Sequence, residues 1–492
     1  MIEGNIGNWI ILAFSVVVLI WMGVQTNNKV VKASKDEGGF LLAGRSIGPF
    51  VGAGTIVATG FSGWGFMGSP GAAYAYGTTE LLGNFFFGFS MVISILFIAK
   101  FLYKRARKLG SLTIPEFLAN VHEGTETEKR IVQALASVIT VILLSVYMVG
   151  QVKALGLLGG TWLGISLEAA ALIMVAIIVM YTCLGGLAAV AWTDTLMVAG
   201  MSVSAIVICI QIFSDISLMD MIARLREIAP EIIDPPTAEP YGATKAHMSL
   251  LFPYTMMFSA VLPYMSIRLM SFRPDVKTHH CALIAAPVAL LVSLVPIVGL
   301  YMRIRMPGLE VADSVMPVYL QTYMPPMIAG IITLFILFAM QSTANSVLHV
   351  VSSAISHDLR KALSPKKEMP YKKALTLNRV MIALFGSLSL VMMLFAPPYM
   401  LNLIAIIGTG TLNAALLGPL LLSAFWRGNA KGAIAAMITG FIVCGVLMAR
   451  GGLGWIEPPI YASIVSVIAY VIVSKLTATK EQHVGEPTYS MG

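Results

Sequence analysis

Residues 52–76 read GAGTIVATGFSGWGFMGSPGAAYAY, an apolar stretch interrupted by glycine at 52, 54, 60, 63, 65, 68 and 71 and by Pro70. A glycine in a helix interior costs about 1 kcal/mol relative to alanine, and proline more. In lipid every backbone N–H and C=O needs a partner, so an interrupted helix survives only inside protein or beside a polar cavity. The stretch therefore predicts a broken transmembrane helix whose freed carbonyls and small hydroxyls, Thr55, Thr59 and Ser62, face a cation or solute. Small residues placed for close helix packing are the other reading. Glycine density and the following proline favour the break.

The surrounding composition fits a membrane setting. The 492 residues are 57% hydrophobic and 11% charged, against a usual charged share of about 25%. That excludes a water-soluble globular domain. Cys183, Cys209, Cys281 and Cys444 lie far apart in or beside apolar segments, with no CxxC or Cys/His ligand spacing. Neither a disulfide framework nor a metal centre follows. The first apolar run, Trp9–Val24, lacks a basic leader and a small-residue cleavage site, so it is expected to stay as a helix. The seven histidines are dispersed and no nucleophile–base pairing is evident, which argues against an enzyme.

Thirteen apolar runs approach the roughly 20 residues that cross a bilayer. They are Trp9–Val24, Phe50–Tyr76, Leu81–Phe101, Ile131–Val152, Leu163–Leu184, Thr195–Phe213, Leu250–Leu269, Cys281–Met302, Met327–Ile355, Val380–Phe395, Leu401–Phe425, Ala433–Met448 and Ile460–Val473. The fold class predicted is an all-α polytopic membrane protein, a single transporter domain over 1–492. Its core runs over about 46–425, with flanking helices at 9–24, 433–448 and 460–473. Most of the 32 lysines and arginines fall on alternate connections: Lys29–Arg45, Lys100–Arg130, Arg268–Lys277, Arg360–Arg379 and beyond Arg427. By the positive-inside rule this places the N-terminus outside and the C-terminus in the cytoplasm of a cell-membrane protein. The net charge of +8 is thus topological and predicts no nucleic-acid partner. The outer connection from Asp215 to His247 carries one amphipathic helix, MDMIARLREIA, before a proline-rich turn, DPPTAEP, and reads as a structured loop rather than a lid.

Three further constellations lie at membrane depth. In Ala339–Ser346, AMQSTANS, hydroxyls and amides offer hard neutral oxygens suited to Na⁺. Back-bonding of Ser and Thr to their own helix is the bland reading. Asp194, at the predicted start of the sixth span, reads either as a second-cation ligand or as a helix-start cap. The seventh span, with Pro253, Pro263, Thr255, Ser259 and Arg268, is a second candidate broken helix. Two interrupted spans five apart point to an inverted-repeat transporter, the second to sixth spans forming one half and the seventh to eleventh the other.

These residues resemble the sodium/solute symporter family. The likeness rests on LAGRSIGPF, SGW followed by GSPGAAYAYG, LGGLAAVAWTD, AMQSTANS with SSAISHDL behind it, and FWRGNAKGAIAAMITG. It is strongest to the pantothenate permease branch, through PGAAYAYG, MPPMIAGI, APPYM and RGNAKGA. The resemblance implies a LeuT-type five-plus-five inverted repeat with broken first and sixth core helices, alternating access, and Na⁺ as coupling ion. It carries a sodium site over to the backbone carbonyls of Ala58, Phe61 and Ala339 and the hydroxyls of Ser342 and Thr343. A second sodium site, present in some members, falls on Asp194, Ser342, Asn345 and Ser346, with Asn345 replacing a hydroxyl. Solute contacts fall on Thr59, Ser62, Trp64, Phe66, Tyr147, Gln151, Thr255, Ser259 and Pro263. Where the proline permeases carry an acid two positions before SGW, this chain has Gly60. The expected activity is Na⁺-driven uptake of a small organic solute, a carboxylate such as pantothenate. A proline or other amino-acid symporter and a transporter-shaped sensor are the alternatives.

Overall fold

The computed structural model describes residues 6–34, 36–365, 369–397 and 399–486. Lys35, Lys366 and Lys367, counted above among the inner basic residues, lie outside them. Among the described residues the chain is helical, with only isolated bridges between extended residues and no strand. Eleven helices are long and apolar enough to cross a membrane, and a bent pair makes a twelfth span. In chain order they are α1 (Ile6–Val31), α2 (Pro49–Tyr76), α3 (Thr78–Lys108), α4 (Glu126–Leu163), α5 (Leu167–Asp215), the pair α6 (Lys245–Val261) and α7 (Pro263–Met270), α8 (Thr278–Arg305), α9 (Pro326–Leu363), α10 (Tyr371–Leu394), α11 (Leu401–Ala424), α12 (Ala430–Arg450) and α13 (Glu457–Leu476).

α5 accounts for the remaining crossing. Its 49 residues would run about 74 Å at 1.5 Å per residue, against a hydrocarbon core of about 30 Å. Gly186, at φ +55° and ψ −150°, breaks it in a conformation that glycine adopts without a Cβ clash. A Cβ there would lie 2.5 Å from the Phe40 carbonyl oxygen. The two arms, 167–185 and 187–215, are the fourth and fifth core helices. The second arm thus starts well before the predicted Thr195. Asp194 consequently sits inside a helix, which removes the helix-start reading.

The two breaks in the core obey different local rules. In α2 the helix runs from Pro49, breaks at Ser62 (φ +48°, ψ −168°), and resumes through a π-helical turn at Trp64–Gly68. A non-glycine residue held at positive φ in this region costs on the order of 1–3 kcal/mol and persists only where its surroundings enforce it. In the second broken helix the break falls at Leu262, immediately before Pro263, and turns the chain by 55°. Pro253 leaves α6 unbroken, because it sits in the first turn of Leu251–Val261, where a missing N–H is tolerated.

Packing separates core from periphery. α2, α9 and α11 are enclosed by neighbours, while α1, α10, α12 and α13 turn much of their length outward. The exposed surface carries Phe14, Trp21, Phe97, Leu172, Leu283, Val380 and Ile442, the side chains a lipid-facing surface requires. α9 packs against α5, α4 and α2, and α11 against α4, so the broken α2 lies on the face of α9 that carries AMQSTANS.

Candidate functional site

The break in α2 and the polar turn of α9 meet in the interior. Ser342 Oγ lies 2.9 Å from the Ala58 carbonyl oxygen and 2.8 Å from that of Ala339. Thr343 Oγ1 donates to the Thr59 carbonyl at 2.7 Å. All five residues are buried. A hydroxyl has one proton, so Ser342 cannot satisfy both carbonyls, and oxygen lone pairs are left converging between α2 and α9. That donor set is hard, neutral and buried, the chemistry that fits a small monovalent cation. Phe61 lies one turn beyond Ala58, and its carbonyl accepts the Trp64 N–H across the break.

The residues of the second sodium set are gathered differently. Asp194 and Arg268 are both fully buried and form an ion pair at 3.0 Å through Asp194 Oδ2 and Arg268 Nη2. The same carboxylate oxygen accepts from Thr55 Oγ1 at 2.6 Å and Thr59 Oγ1 at 3.1 Å, while Oδ1 has no hydrogen-bond partner. Arg268 Nε donates to Thr55 Oγ1 at 2.8 Å, and its Nη groups reach the Tyr264 carbonyl and Ser346 Oγ. Ser346 in turn bonds Asn345 Oδ1 at 2.9 Å, and Asn345 Nδ2 donates to the Tyr181 hydroxyl at 2.8 Å. Arg268 therefore belongs to the membrane interior and not to the basic connection with which its sequence position grouped it.

Beside the α2 break is an aromatic cavity lined by Trp64, Phe87, Tyr147, Tyr254, Thr255 and Phe258, with Thr409 from α11 and Tyr241 from the connection between α5 and α6. Its free volume is about 30 Å³, room for water but not for an organic solute. Trp64 meets Phe87 edge-on at 4.9 Å, Phe87 meets Phe258 at 5.0 Å, and Tyr147 stacks on Tyr264 at 5.6 Å. Such pairs add about 0.5–1.5 kcal/mol beyond their burial. None of the lining residues is charged.

Of the nine solute-contact residues carried over from the resemblance, Trp64, Tyr147 and Thr255 line this cavity. Ser62 and Gln151 buttress it: Ser62 Oγ takes the Tyr147 hydroxyl at 3.3 Å and the Trp64 N–H at 3.0 Å, and Gln151 Oε1 takes the Gly63 N–H at 3.0 Å. Thr59 is turned away toward Asp194, and Ser259 pairs with Ser90. Phe66 and Pro263 are buried outside the lining.

Each end of the core is closed by a polar cluster. On one side Tyr241 bonds the buried carboxylate of Glu80, which also takes Asn84 Nδ2 at 2.7 Å, with Asn402 at 3.4–3.5 Å from both. The connection expected to be a structured loop thus contributes Tyr241 to the cavity lining. On the other side His357 joins Glu37 (2.8 Å) and Glu116 (3.3 Å), and Arg360 and Lys361 complete the cluster. Glu116 lies on the short helix Ile114–Val121. Burial works to raise its carboxyl, but the bond and charge of His357 and Lys361 outweigh that and hold it down at about 2.

A sequence model of the sodium:solute symporter family matches residues 40–440. The chain belongs to that family. Among relatives of this symporter, the sodium/pantothenate symporter of Escherichia coli K12 is 28% identical over 442 residues, which cover 88% of this chain and 89% of that protein. The sodium/proline symporter of the same organism is 26% identical over 476 residues, covering 92% and 91%. In fold, the symporter resembles a Na⁺-coupled sialic acid symporter in a substrate-bound outward-open state: TM-score 0.77, 19% identity, with 96% and 98% of the two chains covered. The fold is thus the LeuT-type arrangement of ten core helices, α2 to the second arm of α5 and α6/α7 to α11, with α1, α12 and α13 outside it.

Sequence reasoning missed Tyr254, Phe258, Thr409, Tyr241 and Glu80. Tyr254 adjoins Thr255 and lines the cavity with it; which neighbours of Thr255 face inward depends on the helix's rotation. Glu80 gave the clearest signal, an acid directly before the apolar run Leu81–Phe101.

Proposed function

We propose that this multi-pass membrane protein imports a small organic solute, a carboxylate of the pantothenate type, across the cell membrane by coupling it to inward Na⁺ flow. The observation that carries this reading is the convergence of the Ala58 and Ala339 carbonyls on Ser342 Oγ, directly across the α2 break from the aromatic cavity. Na⁺ is cargo here, held by Ala58, Ala339, Ser342, Thr343 and the remaining lone pair of Phe61. A cation at the break ties α2 to α9 and presents positive charge to a cavity that has no cationic side chain of its own. That suits a solute bearing one carboxylate and an apolar or amide body, packed against Trp64, Tyr147 and Tyr254. Each Na⁺ moving inward down 100 mV supplies about 2.3 kcal/mol before any concentration gradient.

Proline is the second reading, since proline symporters are relatives too. Gly60 disfavours it: the acid found there in the proline branch is missing, and a side chain at that position would have to displace the flexible end of Met91, whose Cε lies 2.3 Å from where a Cβ would stand. The protein is a carrier, with no reaction at the site. Uptake of labelled pantothenate and labelled proline into sealed proteoliposomes, with an inward Na⁺ or K⁺ gradient, decides among these readings. Na⁺-dependent accumulation of pantothenate is expected. Accumulation of proline alone would overturn the carboxylate assignment, and binding without accumulation would identify a sensor.

A further inference from the structure

We propose that the basic end of this symporter carries a binding site for a phosphate group of net negative charge, built on Arg105 and Arg427. It shares no lining residue with the aromatic cavity. Arg105 lies near the end of α3, and Arg427 in the connection from α11 to α12. Both line a cavity whose other walls come from the end of the helix Ile114–Val121, the start of α4 and Tyr470 of α13. That face carries the basic cluster Lys100–Lys108, and the positive-inside rule assigns it to the cytoplasm.

The two guanidiniums lack the counter-charges that partly buried arginines ordinarily have. Arg105 Nε and Arg427 Nε are both buried atoms, and neither has a hydrogen-bond partner among the described residues. The two charges are near enough to repel each other. The carboxylates of this corner are engaged elsewhere. Glu123 takes the His483 N–H at 2.9 Å and lies 3.4 Å from its Nδ1. Glu126 pairs with Lys129 at 3.2 Å, while Glu128 accepts the Thr125 N–H at 2.8 Å and reaches Lys431 at 3.4 Å. Glu486 stands 3.8 Å from Arg427 Nη1 and is more than half exposed, a setting in which an ion pair is worth little.

The neutral wall is satisfied within itself. His122 Nδ1 donates to the Leu118 carbonyl at 2.7 Å, since a carbonyl only accepts, and Nε2 therefore accepts the Tyr470 hydroxyl at 2.8 Å. Ser423 donates to the Leu420 carbonyl at 2.8 Å. The donors left facing the cavity are chiefly guanidinium protons, with the Lys129 ammonium beside them. A guanidinium fork matches phosphate oxygens in bidentate fashion, and a basic pocket between helix ends at the cytoplasmic face suits an anionic headgroup. The free volume, about 130 Å³, is about ten times the least that admits one water, so a five-atom phosphate enters. The headgroup of an anionic phospholipid and a soluble phosphate both offer that chemistry. Bound there, the phosphate ties the end of α3 to the connection beyond α11, next to the flanking α13.

The test is thermal melting of the purified full chain in dodecyl maltoside, titrated separately with dioctanoyl phosphatidylglycerol, dioctanoyl phosphatidylcholine and inorganic phosphate. A ligand that binds only the folded chain raises the melt. A saturable rise is expected with phosphatidylglycerol, with phosphate or with both, and the probe that acts tells a lipid source from a soluble one. Zwitterionic phosphatidylcholine is expected to leave the melt unchanged. Arg105→Gln/Arg427→Gln should raise the half-saturating concentration by about tenfold or more, the loss of charge-assisted bonds. Lys104→Gln/Lys108→Gln removes two exposed charges from the same end of α3 and should leave that concentration unchanged. In anion-free buffer Arg105→Gln should melt no lower than the unmodified chain, because it removes a repulsion. The proposal is overturned if neither anionic probe shifts the melt, or if phosphatidylcholine acts as well as phosphatidylglycerol. It is overturned equally if the arginine variant titrates like the unmodified chain or like the lysine variant, or if Arg105→Gln melts lower without anion. Where the double arginine variant does not fold, Arg105→Gln alone carries the comparison.

Discussion

At the scale of the residue, Ser342 and Thr343 are the side-chain handles on the proposed sodium site, which is otherwise made of backbone. Removing one hydroxyl leaves the ion under-coordinated, and a bond to a charged group is worth about 1.5–3 kcal/mol. Since about 1.4 kcal/mol is tenfold in affinity, Ser342→Ala or Thr343→Ala should raise half-saturating Na⁺ by about tenfold or more. Linkage requires apparent solute affinity to fall at low Na⁺ and recover at high Na⁺. Ser352 and Ser353 bond only their own helix, to the His349 and Val350 carbonyls, and their alanine variants serve as controls. Equal behaviour of targets and controls would dismiss the sodium site. Asp194→Asn tests the ion pair. Asparagine replaces aspartate well at a helix cap, but here it would strand Arg268 without a counter-charge, a loss of about 3–5 kcal/mol for a buried pair. A marked drop in melting temperature in detergent is expected; an unchanged melt would mean the pair does not hold the fold.

At the scale of the element, the cluster at the end of α9 holds three separate segments together. Glu37 precedes α2, Glu116 sits on the helix Ile114–Val121, and His357, Arg360 and Lys361 close α9. Both carboxyls titrate below their ordinary value of 4.5 because they gain cationic partners on folding. Their contribution is therefore complete above that value and is lost as pH falls toward 2, where the folded Glu116 takes up its proton. Glu116→Gln should lower stability at pH 7 by about 3 kcal/mol, in the range for breaking a buried ion pair. The gap between wild type and variant should close as the melts are repeated from pH 5 downward. A gap that does not change with pH would show that charge is not what Glu116 contributes.

At the scale of the whole molecule, we propose that the described N- and C-terminal residues lie on opposite faces, with α5 crossing twice, and that the lysine and arginine distribution selects the cytoplasmic one. Moving Arg268 into the interior leaves that asymmetry intact, since the clusters at Lys100–Lys108 and Arg360–Arg379 dominate it. Pro235 is buried, but its neighbour Pro236 is exposed, as is Lys372. In a background with the native cysteines replaced by serine, Pro236→Cys should react with an impermeant maleimide on intact cells. Lys372→Cys should react only after permeabilisation. The reverse pattern would invert the topology and turn Tyr241 and its connection into an inner cover.

The sequence by itself determined the apolar spans, the two interrupted helices and the polar turn of α9, because each is written in contiguous residues. Bilayer thickness sets the length of an apolar run, glycine and proline weaken a helix where they stand, and AMQSTANS is polar whatever packs beside it. The tertiary structure alone decided which polar groups meet. Arg268 reads along the chain as the end of an apolar run before a basic connection, where a long side chain would reach for water. Its partner is 74 residues away, on an arm of α5 whose start depends on a left-handed glycine packed against Phe40. Asp194 could thus be read as a cap or an ion ligand until the second broken helix was set against it. The same holds for Tyr254 and Tyr241: hydropathy records that a helix or loop is present, but helix rotation and loop return are fixed by packing between segments far apart in the chain.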